Sequence, residues 1–259
     1  MTEPTSSGPS SLTFSDGTFL VIGGAAGISR AIATGIVARG GSLVVTSRDA
    51  DRAAAAASEL GADDHAALDA SDFAAVSELM KRLIEEGHRL AGVVNGAGSV
   101  LLKPAHLTTA EELQATLTTN LVTAFSVVAA AGRHMKDGGS VLLFSTAAAE
   151  AGIPNHEAIA AAKGGVAALT RSAAATYAAR GLRFNAIAPG LVKTGLTEKI
   201  HSNERALEAS RSMHPLQRVG EPADLAPMAL TLLDPANAWM SGEVICVDGG
   251  LGRLRGRAG

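Results

Sequence analysis

Short apolar or β-branched runs alternate along this chain with longer, alanine-rich segments whose apolar residues recur at three- and four-residue spacing. The short runs predict strands at Phe19–Ile22, Leu43–Thr46, Ala66–Leu68, Gly92–Val94, Val141–Phe144, Arg183–Ala186 and Val244–Val247. The longer segments predict helices over Ser29–Arg39, Phe73–Glu86, Ala110–His134, His156–Arg180 and Pro222–Leu233, because that spacing lines one face of a helix. Strand and helix in regular alternation, without internal repeats, is the rhythm of a parallel sheet covered by helices on both faces. The expected architecture is therefore α/β, a doubly wound seven-stranded parallel sheet whose strand carboxyl ends line one crevice.

Bulk properties narrow the picture. At 259 residues, with 47% hydrophobic and 18% charged, the chain can bury one large core, and a single domain over residues 15–250 is expected. Met1 to Phe14, rich in Ser, Thr and Pro, lacks the basic start and apolar stretch of a signal peptide and reads as an N-terminal tail. Residues 251–259 read as a second tail, whose arginines are interspersed with glycine. A net charge of −3 gives no electrostatic reason to expect nucleic acid, and no 18-residue apolar run to span a membrane is evident. The single cysteine, Cys246, lies in an apolar run; it excludes an internal disulfide, fits a reducing cytoplasm and reads as a small buried hydrophobe.

The first predicted strand runs into Gly23-Gly24-Ala25-Ala26-Gly27-Ile28-Ser29 and then a helix. A turn with so few side chains lets backbone N–H groups and a helix N-terminus face a pyrophosphate. Further along stand Asn95-Gly96-Ala97-Gly98, Asn120, Lys163, Pro189-Gly190 and Val247-Asp248-Gly249-Gly250. In that order and with the Gly-x-x-x-Gly-Ile spacing, these segments resemble the short-chain dehydrogenase/reductase family over about Ser15 to Gly250. The resemblance implies a Rossmann-like fold, a nicotinamide dinucleotide and a small-molecule carbonyl or alcohol substrate.

Carried over residue by residue, the resemblance gives the phosphate turn to Gly23, Ala25, Ala26, Gly27 and Ile28, with Ser29 in place of the family's last glycine. Ser47-Arg48 stands where NAD-preferring members carry an aspartate. A guanidinium pairs with a 2′-phosphate, so NADP is favoured over NAD. Asp69, followed by Ala70, matches the residue that accepts from the adenine amino group; the competing reading is a helix N-cap ahead of Phe73. Asn95-Gly96-Ala97-Gly98 stands where the family has Asn-Asn-Ala-Gly, and the resemblance implies that Asn95, Gly96 and Ala97 approach the adenosine ribose there. Pro189, Gly190, Val192 and Thr194 resemble the segment that holds the nicotinamide carboxamide.

In the family a tyrosine hydroxyl donates the proton, a lysine four residues later lowers its pKa and holds the ribose, a serine polarises the carbonyl, and an asparagine supports a water relay. Asn120 and Lys163 align, and thirteen residues before position 159 stands Thr146, which keeps the hydroxyl. Ser145 is the fallback, since neighbouring strand side chains point to opposite faces. At the tyrosine position the chain has Ile159. The sole tyrosine, Tyr177, lies fourteen residues past Lys163, roughly 21 Å along the same predicted helix. His156, Glu157, Lys163 itself or a water held by Asn120 and Lys163 are the candidate substitutes.

The polar segment Thr194–Pro215 resembles the family's variable substrate lid; its His201 and His214 have no third ligand at metal-binding spacing. The small residues of Ala110–His134 and His156–Arg180 match helices that pair between subunits, so a homotetramer is expected, with a homodimer as the alternative.

Overall fold

The computed structural model describes residues 12–254. In chain order the elements are β1 (Thr18–Ile22), α1 (Gly27–Val37), β2 (Ser42–Ser47), α2 (Ala50–Leu60), β3 (Asp64–Ala67), α3 (Phe73–Glu85) and β4 (Leu90–Asn95). There follow α4 (Ala110–Leu117), α5 (Thr123–His134), β5 (Gly139–Phe144), α6 (Ala147–Glu150), α7 (Glu157–Tyr177) and β6 (Leu182–Pro189). The chain ends with α8 (Glu198–His201), α9 (Glu204–Met213), α10 (Pro222–Leu233) and β7 (Val244–Val247).

All seven strands pair in parallel in the order β3-β2-β1-β4-β5-β6-β7. The winding direction reverses between β1 and β4, and there the strand ends part to leave a ligand crevice. β1 and β4 are buried along their whole length, as strands covered on both faces must be. One face packs Val76, Met80, Leu83, Val127, Val166 and Phe184 from α3, α5, α7 and the sheet. The other packs Ile32, Ile36, Leu142, Leu225 and Leu230, with α1 lying against α10.

Four expectations need correction. Phe14 is not part of a tail: it is buried and stacks on Phe19 with ring centroids 4.9 Å apart, so the core begins before residue 15. Residues 1–11 and 255–259 of the two expected tails lie outside the described residues. The third strand starts at Asp64, earlier than its apolar run, because the ladder to β2 pairs Val44 with Asp64 and Val45 with His65. α2 went unrecognised because its buried face is made only of Ala53, Ala56 and Ala57, too small to mark a periodic stripe. Its ends are nevertheless well specified: Asp49 accepts from the Arg52 N–H and Gly61 closes the helix at φ 68°.

The fourth correction concerns Ala110–His134, which is interrupted by a π-turn at Thr118–Val122. Its composition passes as a possible membrane span, but more than half of that apolar window is buried inside the protein, against α3 and α7. It is a core helix of the α/β fold.

Candidate active site

A cavity of about 420 Å³ opens at the carboxyl ends of the strands, running from the glycine turn after β1 to Lys163 on α7. Gly23 and Gly27 have φ of 72° and 58°, a left-handed conformation that suits glycine. Thr194 closes over this turn, its methyl 3.3 Å from where a Cβ on Gly27 would stand. The N-cap of α1 is Ala26, which has no side chain to cap the helix. The first N–H groups of α1 are thus left facing the cavity, the arrangement that binds anions.

Two departures from the expected glycine motif turn out to be one. Ser29 is buried, and its hydroxyl lies 1.8 Å from the point a Cβ on Gly96 would occupy. The side chain at position 29 therefore fills the space that a side chain at position 96 would need. Asn95, beside it, is buried; its Oδ1 accepts from the Ala97 N–H at 3.2 Å and fixes the loop after β4.

Asn120 lies inside the π-turn and is fully buried. Such turns frequently mark functional positions. Its Nδ2 donates to the Thr116 carbonyl and to the Ser99 Oγ, each at 2.9 Å, while its Oδ1 accepts from the Ser99 N–H at 3.2 Å. Lys163 is buried, and its ammonium has no hydrogen-bond partner among the described residues. Burial alone lowers its pKa to about 8.

At the end of β5 the two adjacent hydroxyls separate as strand geometry requires. Ser145 is buried and donates to the Lys163 carbonyl at 3.0 Å, tying β5 to α7. Thr146 caps α6 by accepting from the Ala148 N–H at 3.3 Å, and it lines the cavity. Ile159 is buried at the cavity wall. Tyr177 packs on Phe184, ring centroids 5.5 Å apart, with its hydroxyl beside Gly132, away from this cavity. Of the expected proton-donor substitutes, His156 turns its Nδ1 to the Pro154 carbonyl at 2.8 Å and Glu157 is exposed, and neither lines the cavity.

Gly23, Ala26, Gly27, Ile28, Gly96 and Ala97 converge on the cavity with Asn120, Thr146 and Lys163, and Pro189, Gly190, Val192 and Thr194 close its other side. Ala25, Ser47, Arg48, Asp69, Ala70 and Asn95 stand outside its lining. Asp69 is an exposed residue whose Oδ1 accepts from the Ser71 N–H and hydroxyl; these bonds and the Arg48 guanidinium hold its carboxyl below the usual range. It is not the cap of α3, a role filled by Asp72, which accepts from the Ala74 and Ala75 N–H groups. The Ala70 carbonyl accepts from the Ser126 hydroxyl.

Arg52, in the first turn of α2 and four residues after Arg48, lines the cavity beside the glycine turn, and no ion pair engages it among the described residues. It was missed because α2 was missed. In the lid, His201 bonds the Thr194 carbonyl at 3.1 Å. His214, 1% exposed, donates from Nδ1 to the Ser210 carbonyl and accepts at Nε2 from the Leu191 N–H at 3.2 Å. Both histidines tie α8 and α9 to the loop after β6.

Comparison with known proteins agrees with this geometry. The family model described as Enoyl-(Acyl carrier protein) reductase matches residues 23–252. The chain is 32% identical to the D-threitol dehydrogenase of Mycolicibacterium smegmatis over 237 residues, which is 89% of this chain and 91% of that one. It is 33% identical to the inactive 2-(S)-hydroxypropyl-CoM dehydrogenase 2 of Xanthobacter autotrophicus, across 85% of this chain and 99% of the relative. The structure of ElxO with NADP bound superposes with a TM-score of 0.84 at 27% identity, covering 91% of this chain and 98% of that one. The chain belongs to the short-chain dehydrogenase/reductase family, whose members are NAD(P)-dependent dehydrogenases and reductases.

Proposed function

We propose that this protein is an NADP-dependent oxidoreductase that reduces a carbonyl, or oxidises the corresponding alcohol, in a site where Ile159 stands in place of the usual tyrosine. The observation that carries this reading is the convergence of Lys163, Asn120 and Thr146 on the cavity that begins at the glycine turn. The residues fit a dinucleotide. The turn carries few and mostly small side chains, the N-terminus of α1 has no side-chain cap, and the Lys163 ammonium lines the cavity without a hydrogen-bond partner among the described residues. When bound, the cofactor supplies or accepts the hydride.

The chain's own groups do the remaining work. The Gly23–Ile28 turn receives the pyrophosphate, with Ala25 and Ala26 giving it close backbone access. Arg48 and Arg52 meet the 2′-phosphate at the end of β2, where Ser47 adds a hydroxyl, and this favours NADP over NAD. Asp69 and Ala70 border the adenine, and Asn95, Gly96 and Ala97 the adenosine ribose. Val192 and Thr194, after Pro189-Gly190, orient the carboxamide, and His214 steadies that loop through the Leu191 N–H. Lys163 holds the nicotinamide ribose, and Thr146 polarises the substrate oxygen. An amine with a pKa of about 8 exchanges protons near neutral pH, which suits Lys163 to feed the proton that Ile159 cannot. The substrate is small and largely apolar, in keeping with Val100, Phe144, Ile159 and Leu196 on the wall.

Titration of the protein with NADPH and with NADH, followed by nicotinamide fluorescence, tests the cofactor assignment; NADPH binds more tightly if it is right, and equal or absent binding overturns it. A second reading, a dinucleotide-binding protein without turnover, is favoured by Ile159 and by the distant placement of Tyr177. Failure to reduce any carbonyl despite tight NADPH binding selects it. Assembly into a homotetramer, or a homodimer, is supported by the exposed Leu113 and Phe125 on the face of α4 and α5, and light scattering measures it.

A further inference from the structure

The proposed reduction lacks a hydroxyl at position 159, and the structure offers another one in the same cavity. Ser99 follows β4 and is half-buried among the residues that line the space around Ile159, Thr146 and Lys163. Two hydrogen bonds fix it against Asn120. The Asn120 Oδ1 accepts from its N–H at 3.2 Å, and the Asn120 Nδ2 donates to its Oγ at 2.9 Å. In the second bond Ser99 is the acceptor, so its own O–H proton is still available. No acceptor for that proton stands within hydrogen-bond distance among the described residues.

The residue before it brings the lysine close. A Cβ on Gly98 would stand 3.3 Å from the Asn120 Oδ1 and 3.7 Å from the Lys163 Nζ, so the amide and the amine meet over a position with no side chain. The other groups near the gap are spent or elsewhere. Ser145 donates to the Lys163 carbonyl, His156 turns to Pro154, and Glu157 is exposed. Thr146 comes from the end of β5, so the two free hydroxyls reach the cavity from different strands.

We infer that Ser99, oriented by Asn120, donates its hydroxyl proton to the substrate oxygen in place of the missing tyrosine and is reprotonated from Lys163. This rests on the oxidoreductase reading above. The balance closes with a reduced nicotinamide dinucleotide as the reductant. A hydride joins the carbonyl carbon, the carbon–oxygen π pair moves to oxygen, and the Ser99 O–H bond breaks as the new O–H bond forms. The Lys163 ammonium gives its proton to Ser99, directly or through one water, and regains one from solvent.

The full chain, Ser99→Ala, Ser99→Thr and Ile159→Tyr are compared with NADPH and 1-phenyl-1,2-propanedione, a neutral ketone activated by its neighbouring carbonyl. The readouts are kcat, KM, the solvent deuterium isotope effect and, independently of turnover, the NADPH dissociation constant by fluorescence. Ser99→Ala lowers kcat about 100-fold, the low end of what a positioned proton donor contributes. It leaves NADPH binding and KM little changed, and Ser99→Thr restores most of the rate. A Ser99→Ala protein with the parent's kcat and isotope effect overturns the relay while leaving the oxidoreductase reading intact. Turnover by Ile159→Tyr alone, with an inactive parent, also overturns the relay. No turnover by the parent or by Ile159→Tyr, with NADPH bound, overturns both.

Discussion

The reciprocal packing of Ser29 and Gly96 gives a prediction independent of any substrate. Gly96→Ala places a Cβ 1.8 Å from the Ser29 Oγ, 2.9 Å from the Ser29 Cβ and 2.8 Å from the Ile22 carbonyl oxygen. Rotating the serine hydroxyl relieves the first contact and leaves the others, so the cost is that of overpacking a filled site, about 1–3 kcal/mol. Ser29→Gly by itself loses helix propensity in the first turn of α1, roughly 0.5–1 kcal/mol. Combined, the two changes remove both Ser29 contacts and leave the Ile22 carbonyl alone, so the double variant is more stable than the sum predicts by about 1–2 kcal/mol. A double-mutant cycle by urea unfolding, followed by circular dichroism, measures this coupling. Additivity within about 0.5 kcal/mol would refute the idea that the two positions share one space.

Three further outcomes follow from particular atoms. The Thr46 Oγ1 is fully buried with no hydrogen-bond partner among the described residues, so Thr46→Val stabilises the fold by about 1 kcal/mol in the same unfolding assay. Burial holds Lys163 near 8 against an ordinary 10.5. Below pH 8 both states carry the charge and the folded one bears its burial cost. Between pH 8 and 10.5 the unfolded chain holds the extra proton, so stability rises with pH across that window. Relative to Lys163→Met, the parent therefore gains about 2 kcal/mol between pH 7 and 9.5, and an unchanged difference contradicts the burial argument. Arg52→Ala weakens NADPH binding about tenfold, one charge-assisted bond's worth, and leaves NADH unaffected by fluorescence titration. An equal loss for both cofactors removes Arg52 from the 2′-phosphate.

Much of this architecture was legible in the chain because strands buried on both faces must be continuous apolar runs. β1, β4 and β5 announce themselves in that way, and a doubly wound parallel sheet follows from the alternation, while the order of its strands comes from their pairing in the structure. What was hidden had small or polar residues doing structural jobs. α2 buries only alanines, so it left no periodic stripe, and its absence concealed Arg52. The π-turn around Asn120 comes in a stretch whose composition suits an unbroken helix. Ser29 and Gly96 read as two separate departures until the Ser29 side chain is seen to fill the space that a side chain at Gly96 would need. Ser99 carries no local signal: a serine after a glycine-rich loop gains meaning only when Asn120, 21 residues later, is seen to bond it. The candidate site was most readable where the backbone favours glycine, at Gly23 and Gly27 with φ of 72° and 58°, and least readable at Ser99, where a hydroxyl is placed by a bond to a residue distant in sequence.

The central claim is that this cavity is a nicotinamide site for carbonyl chemistry in which one hydroxyl has been replaced. Its most direct test is the kcat of Ile159→Tyr against the parent with NADPH and 1-phenyl-1,2-propanedione. Ile159 forms part of the cavity wall, so the new ring has open space ahead of it. The account predicts measurable turnover by the parent and a rise of about 10- to 100-fold in the variant, below the full contribution of a general acid because Ser99 already supplies part of it. No turnover by either protein, with NADPH bound to both, would contradict it.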